Sequence, residues 1–180
     1  MIHIIYKKGD ATVSARNKDI ATVICHCCNA FGGWDRGFVI PLGQKYPKAK
    51  SDYENFCKPY QSSNELRNEL MGQVCLSKIN EELYIANIIG QYFYSKNQKN
   101  FDLQDGVDPI YIPTEEARFV NYEAIRKGFN RLSDLMDSIP FNIQMPKMGC
   151  GLAGGDWQVI ERIICEEFCS KDIQVTVYEL

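Results

Sequence analysis

The sequence predicts an α/β fold in which one sheet is covered by helices on both sides. Short stretches rich in β-branched residues alternate along the chain with stretches that carry apolar residues at helical spacing, and this alternation is typical of layered α/β domains. No linker, repeat or low-complexity segment interrupts the pattern, and a length of 180 residues suits one domain. We therefore predict a single domain that spans residues 1–180.

The first part of the chain is predicted to contain two strands and a helix. Residues 1–6 form an apolar run that ends at the turn Gly9-Asp10, and residues 21–27 form the second β-rich run. The segment that follows contains Pro41, which is tolerated only in the first turn of a helix. We therefore expect this helix to begin near Phe38.

The middle of the chain is predicted to hold a short helix and a hairpin. Ser51 is a good N-cap for a short helix over residues 51–60. Residues 73–79 and 82–90 are both rich in β-formers and are separated by a short polar turn, which predicts a hairpin. Residues 95–108 are polar and rich in turn formers, so we expect a loop there.

The last part of the chain alternates helix and strand. Residues 121–139 and 156–169 carry apolar side chains at helical spacing, and each predicts an amphipathic helix. The apolar FNIQMP at residues 141–146 and IQVTVYEL at residues 173–180 predict two strands. The chain therefore ends on a strand that directly follows a helix.

Composition and charge exclude several classes of protein. The net charge is −3, and Lys and Arg are scattered, so the chain lacks the basic patch of a nucleic-acid surface. No apolar run approaches the roughly 20 residues of a membrane span, and the N-terminus has no signal-peptide pattern. We therefore expect a cytoplasmic protein whose eight cysteines are reduced thiols.

The CHCC stretch at residues 25–28 leaves a metal site or a reactive cysteine open. Side chains at adjacent strand positions point to opposite faces of a sheet, whereas a zinc site usually draws on separated pairs of ligands. Plain buried thiols are the favoured interpretation, and bound zinc in the purified protein would contradict it.

A glycine loop near the C-terminus predicts an anion site. Gly149, Gly151 and Gly154 fit G-x-G-x-x-G, with a further glycine at Gly155, between a predicted strand and a predicted helix that Asp156 could cap. Glycines let the backbone approach a ligand closely, and free N–H groups at a helix N-terminus favour phosphate. A dinucleotide-binding domain would need a further strand with an acidic residue about 20 residues on, but the next strand is the last. We therefore expect another kind of phosphate-binding α/β fold.

A second glycine loop follows the strand at residues 21–27. It reads NAFGGWDRG and begins after a strand that ends near His26, so strand, glycine loop and helix follow one another again. Loops at the carboxyl ends of neighbouring strands face one crevice in such sheets. Two glycine loops facing each other suit a diphosphate, and His26, Asn29 and Asp35 could orient groups or transfer protons.

Taken together, these stretches resemble a macrodomain. They are GDAT at residues 9–12, the asparagine and glycine loop from residue 29, ANIIGQ at residues 86–91 and MPKMGCGLAGGDW at residues 145–157. The resemblance covers essentially the whole chain and is greatest to the branch of ADP-ribose 1''-phosphate phosphatases and terminal ADP-ribose protein glycohydrolases. It implies a three-layer α/β/α fold with a mixed, six-stranded sheet. It also implies a crevice that binds ADP-ribose without a metal or other cofactor.

The resemblance also implies roles for individual residues. Asp10 would accept a hydrogen bond from the adenine amino group, with the Ala11 N–H beside it, and Asn29 would lie near the distal ribose. Two opposing loops would hold the diphosphate and distal ribose: Gly32, Gly33 and Gly37 on one side, and Gly149, Cys150, Gly151, Leu152, Ala153, Gly154 and Gly155 on the other. The aromatic wall for adenine would come from Phe119, Tyr122 or Tyr178.

Asn29, Asp35 and His26 are the catalytic candidates. We expect Asn29 to orient the ribose or a water, and Asp35 or His26 to assist proton transfer. Packing or capping roles stay open for all three residues. Glycohydrolases of the family that release ADP-ribose from glutamate use a lysine after the central strand and an aspartate after the Gly-x-Gly-Leu step. Those positions hold Gln91 and Ala153, so a lysyl intermediate is not expected.

The predicted function is that of an ADP-ribose-binding hydrolase. It would remove phosphate or an acyl group from the 1'' position of the distal ribose. The alternatives are a reader of ADP-ribose without turnover and a hydrolase that acts on ADP-ribosylated protein. We expect a monomer, and neither a membrane nor a nucleic acid as its partner.

Overall fold

A single six-stranded sheet forms the centre of the protein. The structure is a computed structural model that describes residues 3–14, 17–93, 119–151 and 153–180. The strands, in chain order, are β1 (Ile5–Lys8), β2 (Ala21–Asn29), β3 (Val74–Asn80), β4 (Leu83–Gln91), β5 (Phe141–Pro146) and β6 (Val175–Glu179). The helices are α1 (Val39–Lys45), α2 (Pro47–Cys57), α3 (Asn64–Glu69), α4 (Tyr122–Leu135) and α5 (Trp157–Glu167).

The sheet is mixed, and its strand order is β1-β6-β5-β2-β4-β3. β3 pairs with β4 in an antiparallel hairpin, whereas every other pair of neighbours is parallel. The carboxyl ends of β1, β6, β5, β2 and β4 therefore meet at one edge of the sheet. This arrangement confirms the predicted three-layer α/β/α fold and the predicted hairpin.

Both faces of the sheet are buried, which explains the nearly continuous apolar run of β2. Val23 and Cys25 pack into the core under α4 and α5. The intervening Ile24 packs into a second core, under α1 and α2, together with Tyr53. The strand period of two therefore divides the chain between two cores.

Several element boundaries differ from the predicted ones because tertiary contacts decide them. β1 begins at Ile5 rather than at residue 1, since its register is set by pairing with β6. α2 begins with Pro47 at its first turn, so Ser51 lies inside the helix and the predicted N-cap is wrong. α3 was not predicted, although Ser63 caps it by accepting a hydrogen bond from the Leu66 N–H.

Other boundaries follow the prediction. β5 has the predicted bounds, and α5 begins at Trp157 after the predicted N-cap, Asp156, whose side chain accepts from the Gln158 N–H. The loop predicted at residues 95–108 lies outside the described residues. No described helix has both the length and the apolar composition that a membrane span requires.

Candidate ligand-binding crevice

A crevice of about 290 Å³ opens at the carboxyl ends of β5, β2 and β4. This edge is where open α/β sheets bind their ligands. Two glycine-containing segments line it: the β2 loop, residues 30–38, and the β5 loop, residues 147–156. Gln91 at the end of β4 and Phe119 also line it. The two segments that the sequence predicted to face one another therefore do so.

Asn29 holds the β2 loop in shape. Its Oδ1 accepts hydrogen bonds from the Phe31 and Gly33 N–H groups, both at 3.0 Å, and its Nδ2 donates to the Gly33 carbonyl at 3.0 Å. Gly32, between them, has a φ of 74°, which a glycine adopts without strain. Asn29 lines the crevice, but this geometry supports a positioning role in addition to any contact with a ligand.

The β5 loop folds back on itself through glycines. The Gly155 N–H donates to the Gly149 carbonyl at 2.8 Å, and the Gly154 N–H donates to the Gly151 carbonyl at 3.1 Å. A side chain at Gly155 would come within 2.5 Å of that Gly149 oxygen, so the turn requires glycine there. Gly151 differs, because a Cβ built on it meets no atom within 4 Å.

Residues on both walls of the crevice carry backbone N–H groups that make no hydrogen bond within the described part of the chain. In the β2 loop, the N–H groups of Arg36 and Gly37 donate to no other described residue. The same is true of Gly149 and Gly151 in the β5 loop, within the described part of the chain. All four residues line the crevice. Unpaired N–H groups are good partners for an anion, and no basic side chain is needed for them to act.

The N-terminus of α5 has the predicted N-cap, Asp156, which takes up one of the N–H groups of its first turn. The Asp156 carboxylate accepts from the Gln158 N–H at 2.9 Å, and the Asp156 N–H donates to the Tyr122 hydroxyl at 2.9 Å. Gly149, Gly151 and Ala153 line the crevice, whereas three predicted binding residues do not: Cys150, Gly154 and Gly155. Leu152, also predicted to bind, lies outside the described residues.

His26 lines the crevice with a largely buried ring, which is held by a polar partner. Its Nε2 lies 2.6 Å from Asn87 Oδ1. The Asn87 Nδ2 donates to the carbonyls of Ala49 and Cys75, so its oxygen must face the ring and Nε2 carries the hydrogen. Burial lowers the pKa of His26 to about 4. The ring is therefore neutral at pH 7, which suits packing against Trp34 better than acid catalysis.

Asp35 is exposed on the crevice wall. Of the described residues that line the crevice, it is the one carboxylate. Gly32, which the resemblance placed among the ligand contacts, lies behind the wall, and its N–H faces the Cys57 thiol. Gly33 and Gly37 line the crevice. Asp35 is thus the lining side chain best suited to accept a proton from a water.

Cys27 also lines the crevice, but its chemistry is unsuited to nucleophilic attack. Burial raises the pKa of the Cys27 thiol to about 12, so it stays protonated at neutral pH. Burial likewise raises the pKa of Cys25 and Cys28. Among the described residues, no group of three or more candidate ligands could hold a metal ion.

The two glycohydrolase positions both lie on the crevice. Gln91 donates from Nε2 to the Phe93 carbonyl, and Ala153 is buried beside the β5 loop. Neither side chain can form a covalent intermediate or accept a proton. Asp156, the nearest acid in sequence to Ala153, does not line the crevice.

Asp10 and Ala11 lie at the far end of the same sheet edge, after β1. Asp10 Oδ1 accepts from the Thr12 N–H at 2.8 Å and the Thr12 hydroxyl at 2.7 Å, and these hydrogen bonds lower the pKa of Asp10. The Ala11 carbonyl accepts from the buried amide of Gln144 at 2.7 Å. Neither Asp10 nor Ala11 lines the crevice itself, so they can meet only a ligand that extends along the edge.

The three aromatic candidates occupy different places. Phe119 lines the crevice, whereas the Tyr122 hydroxyl accepts a hydrogen bond from the α5 cap. Tyr178, on β6, packs beside Gly9, directly before Asp10. Trp34 is buried against His26 and Tyr53 and does not line the crevice.

Two basic residues of the crevice were not predicted. Arg36 lies in the β2 loop, and Lys147 begins the β5 loop and forms an ion pair with Glu179. In the sequence, these two residues could have been noticed because each lies next to one of the two glycine motifs. Lys and Arg are scattered along the chain, however, and only the fold brings these two residues to one crevice.

Comparisons with known proteins agree with this geometry. No protein-family model matches the chain. A curated relative from Saccharomyces cerevisiae (strain YJM789), named ADP-ribose 1''-phosphate phosphatase, is 27% identical over 195 residues, which cover 100% of both chains.

Solved structures match over the same length. A protein of unknown function from Bacteroides thetaiotaomicron is 33% identical, with 99% of both chains covered and a TM-score of 0.79. A macrodomain protein from Streptomyces coelicolor is 26% identical, with 99% of both chains covered and a TM-score of 0.74. Matches of this kind extend over the sheet, both loops and the helices, and the chain has the α/β fold of the macrodomains to which it is similar.

Proposed function

We propose that the crevice binds ADP-ribose and that the protein hydrolyses derivatives substituted at the 1'' position of the distal ribose. The observation that carries this proposal is the pair of unpaired N–H groups on each wall, from Arg36 and Gly37 and from Gly149 and Gly151. A diphosphate between these walls would receive donors from both sides without a metal ion. The name of the yeast relative supports the same substrate class.

The strand order supports the orientation of the ligand. Asp10 follows β1, and Asn29 ends β2, three strands away in the order β1-β6-β5-β2. Neighbouring strands lie about 4.8 Å apart, so the two residues are separated by roughly 14 Å along the edge. Adenine near Asp10 and Tyr178 would leave the diphosphate over β5 and the distal ribose beside Asn29.

Asp35 is the group that we assign to proton transfer. Its carboxylate would take a proton from a water whose oxygen bonds to the phosphorus, or to the acyl carbon, of the 1'' substituent. The bond from that atom to the 1'' oxygen then breaks, and the oxygen leaves with a proton as a hydroxyl. General base catalysis of this kind contributes about 10²–10⁴-fold to a rate. The products are ADP-ribose and phosphate or a carboxylic acid.

A reader without turnover is the second candidate. Gln91 and Ala153 favour it, because they line the crevice where the glycohydrolases of the family carry a lysine and an aspartate. The neutral His26 favours it as well. A hydrolase for ADP-ribosylated protein remains a variant of the main proposal, with the protein as the leaving group.

The test is a titration followed by a rate measurement on the same sample. ADP-ribose is titrated by calorimetry, and phosphate release is then measured from ADP-ribose 1''-phosphate. We expect binding with turnover, and we expect Asp35→Asn to slow release about 10²–10⁴-fold with ADP-ribose affinity retained. Asp137→Asn, at an exposed acid after α4, is the matched control. Binding without turnover supports the reader, and no binding refutes both.

We further propose that the protein is a single-domain monomer of the cytoplasm. All eight cysteines are free thiols, as expected in a reducing compartment. Sedimentation of the purified protein at micromolar concentration tests the monomer, and a dimer would contradict it.

A further inference from the structure

Arg36 is a cation on the crevice wall whose guanidinium does not contribute an ion pair to the described part of the fold. It forms no hydrogen bond or ion pair with another described residue. Two other arginines have partners in the fold: Arg67 donates to the Gln61 carbonyl and lies over the Phe31 ring, and Arg126 pairs with two glutamates of α5. An exposed guanidinium at a binding crevice is therefore available to a ligand.

The position of Arg36 matches one end of the proposed ligand. It lies in the β2 loop, which follows the strand three places from β1 and Asp10. Lys147, the other lining cation, follows β5 and is paired with Glu179, so its charge is partly neutralised. If adenine lies near Asp10, the diphosphate passes Lys147 first, and the distal ribose comes to Arg36 and Asp35.

We infer that Arg36 recognises a phosphate group on the 1'' oxygen and makes the protein selective for 1''-phosphorylated over acylated ADP-ribose. This inference rests on the proposed function and names its substrate. A phosphate monoester presents oxygens that a planar guanidinium binds through two parallel hydrogen bonds. An acyl ester is uncharged and offers no such partner. The carboxylate of Asp35, directly before Arg36 in the chain, would repel a phosphate dianion unless a cation lay beside that phosphate.

The test compares two ligands on one set of variants. Affinities for ADP-ribose 1''-phosphate and for ADP-ribose are measured by calorimetry in the Asp35→Asn background, which suppresses turnover. We expect Arg36→Gln to weaken the 1''-phosphate complex roughly 10- to 100-fold, the range for losing charge-assisted hydrogen bonds. The affinity for ADP-ribose should stay within about twofold, because the backbone donors remain. Arg36→Lys should recover part of the loss, since it restores the charge but not the bidentate geometry.

Arg131→Gln, at an exposed arginine of α4, is the matched control and should change neither affinity. Equal losses for both ligands would overturn the inference, because Arg36 would then contact the diphosphate. Unchanged affinity for both ligands would overturn it too. If the unsubstituted protein binds no ADP-ribose, the proposed function fails and this inference fails with it.

A rate measurement gives an independent readout in the Asp35-containing protein. Arg36→Gln should lower kcat/KM for phosphate release and leave hydrolysis of O-acetyl-ADP-ribose unchanged. A purely structural role for Arg36 would lower both rates together. Loss of acetyl release equal to the loss of phosphate release would therefore refute selection by Arg36.

Discussion

Gly151 provides a direct test of the two-walled crevice. It lines the crevice and is exposed, and a Cβ at this position would meet no atom within 4 Å. Gly151→Glu should therefore fold normally and bring a carboxylate to the diphosphate. Two unit charges roughly 4 Å apart in water interact by about 1 kcal/mol, so a diphosphate with two charges would be repelled by about 2 kcal/mol. That repulsion corresponds to an affinity loss of roughly 30-fold.

Calorimetry at two salt concentrations separates charge from bulk. The part of the loss that is due to charge should shrink in 1 M salt, where the Debye length falls to about 3 Å. Gly151→Gln adds nearly the same volume without charge, and Gly151→Ala tests the empty space itself, with an expected change of at most about twofold in affinity. Unchanged affinity in Gly151→Glu would show that the β5 loop does not border the ligand. Salt-independent loss would contradict the electrostatic explanation.

Three further predictions concern residues that shape the site. Gly155→Ala should lower the free energy of unfolding by about 1–3 kcal/mol, since its Cβ would lie 2.5 Å from the Gly149 oxygen. Urea denaturation measures this loss, and a variant as stable as the unsubstituted protein would contradict the tight turn. Asn29→Ala should reduce ADP-ribose affinity and turnover together, because three hydrogen bonds that hold the β2 loop are lost. If steady-state kinetics show a loss of kcat alone, Asn29 instead contacts the reacting atoms. His26 has a pKa of about 4 in the folded protein and 6.5 as its ordinary value, so its contribution to stability is full above pH 6.5 and is lost as the pH falls to 4. That loss amounts to about 3 kcal/mol. His26→Gln should therefore be less sensitive to acid over this range in urea titrations, and parallel curves for the two proteins would refute the burial effect.

The local patterns of the sequence were sufficient for most of the elements. β5 and α5 were predicted because their apolar periods are strong and their ends carry clear signals, such as Asp156 as a cap. β1 and α2 were displaced because pairing with β6 and the proline at residue 47 decide their boundaries. Local propensity is a weak guide wherever such contacts compete with it.

The candidate site was predicted in part. Two glycine loops imply close backbone approach, and the strand–loop–helix order implies a shared sheet edge, so both walls could be anticipated. The sequence could not predict which N–H groups are free, because that depends on whether the fold places an acceptor next to each donor. Gly155 and Gly151 look alike in sequence, yet one closes the turn and the other faces open space.

The sequence by itself determined the alternation of strands and helices, the family resemblance and the two loops, because these features depend on residues close together in the chain. Tertiary structure alone decided that His26 is buried and neutral, that the Asn29 amide hydrogen-bonds within the β2 loop, and that Arg36 and Lys147 line one crevice. Burial, pKa and charge proximity depend on residues distant in sequence. They exist only once the sheet brings the ends of β5 and β2 side by side.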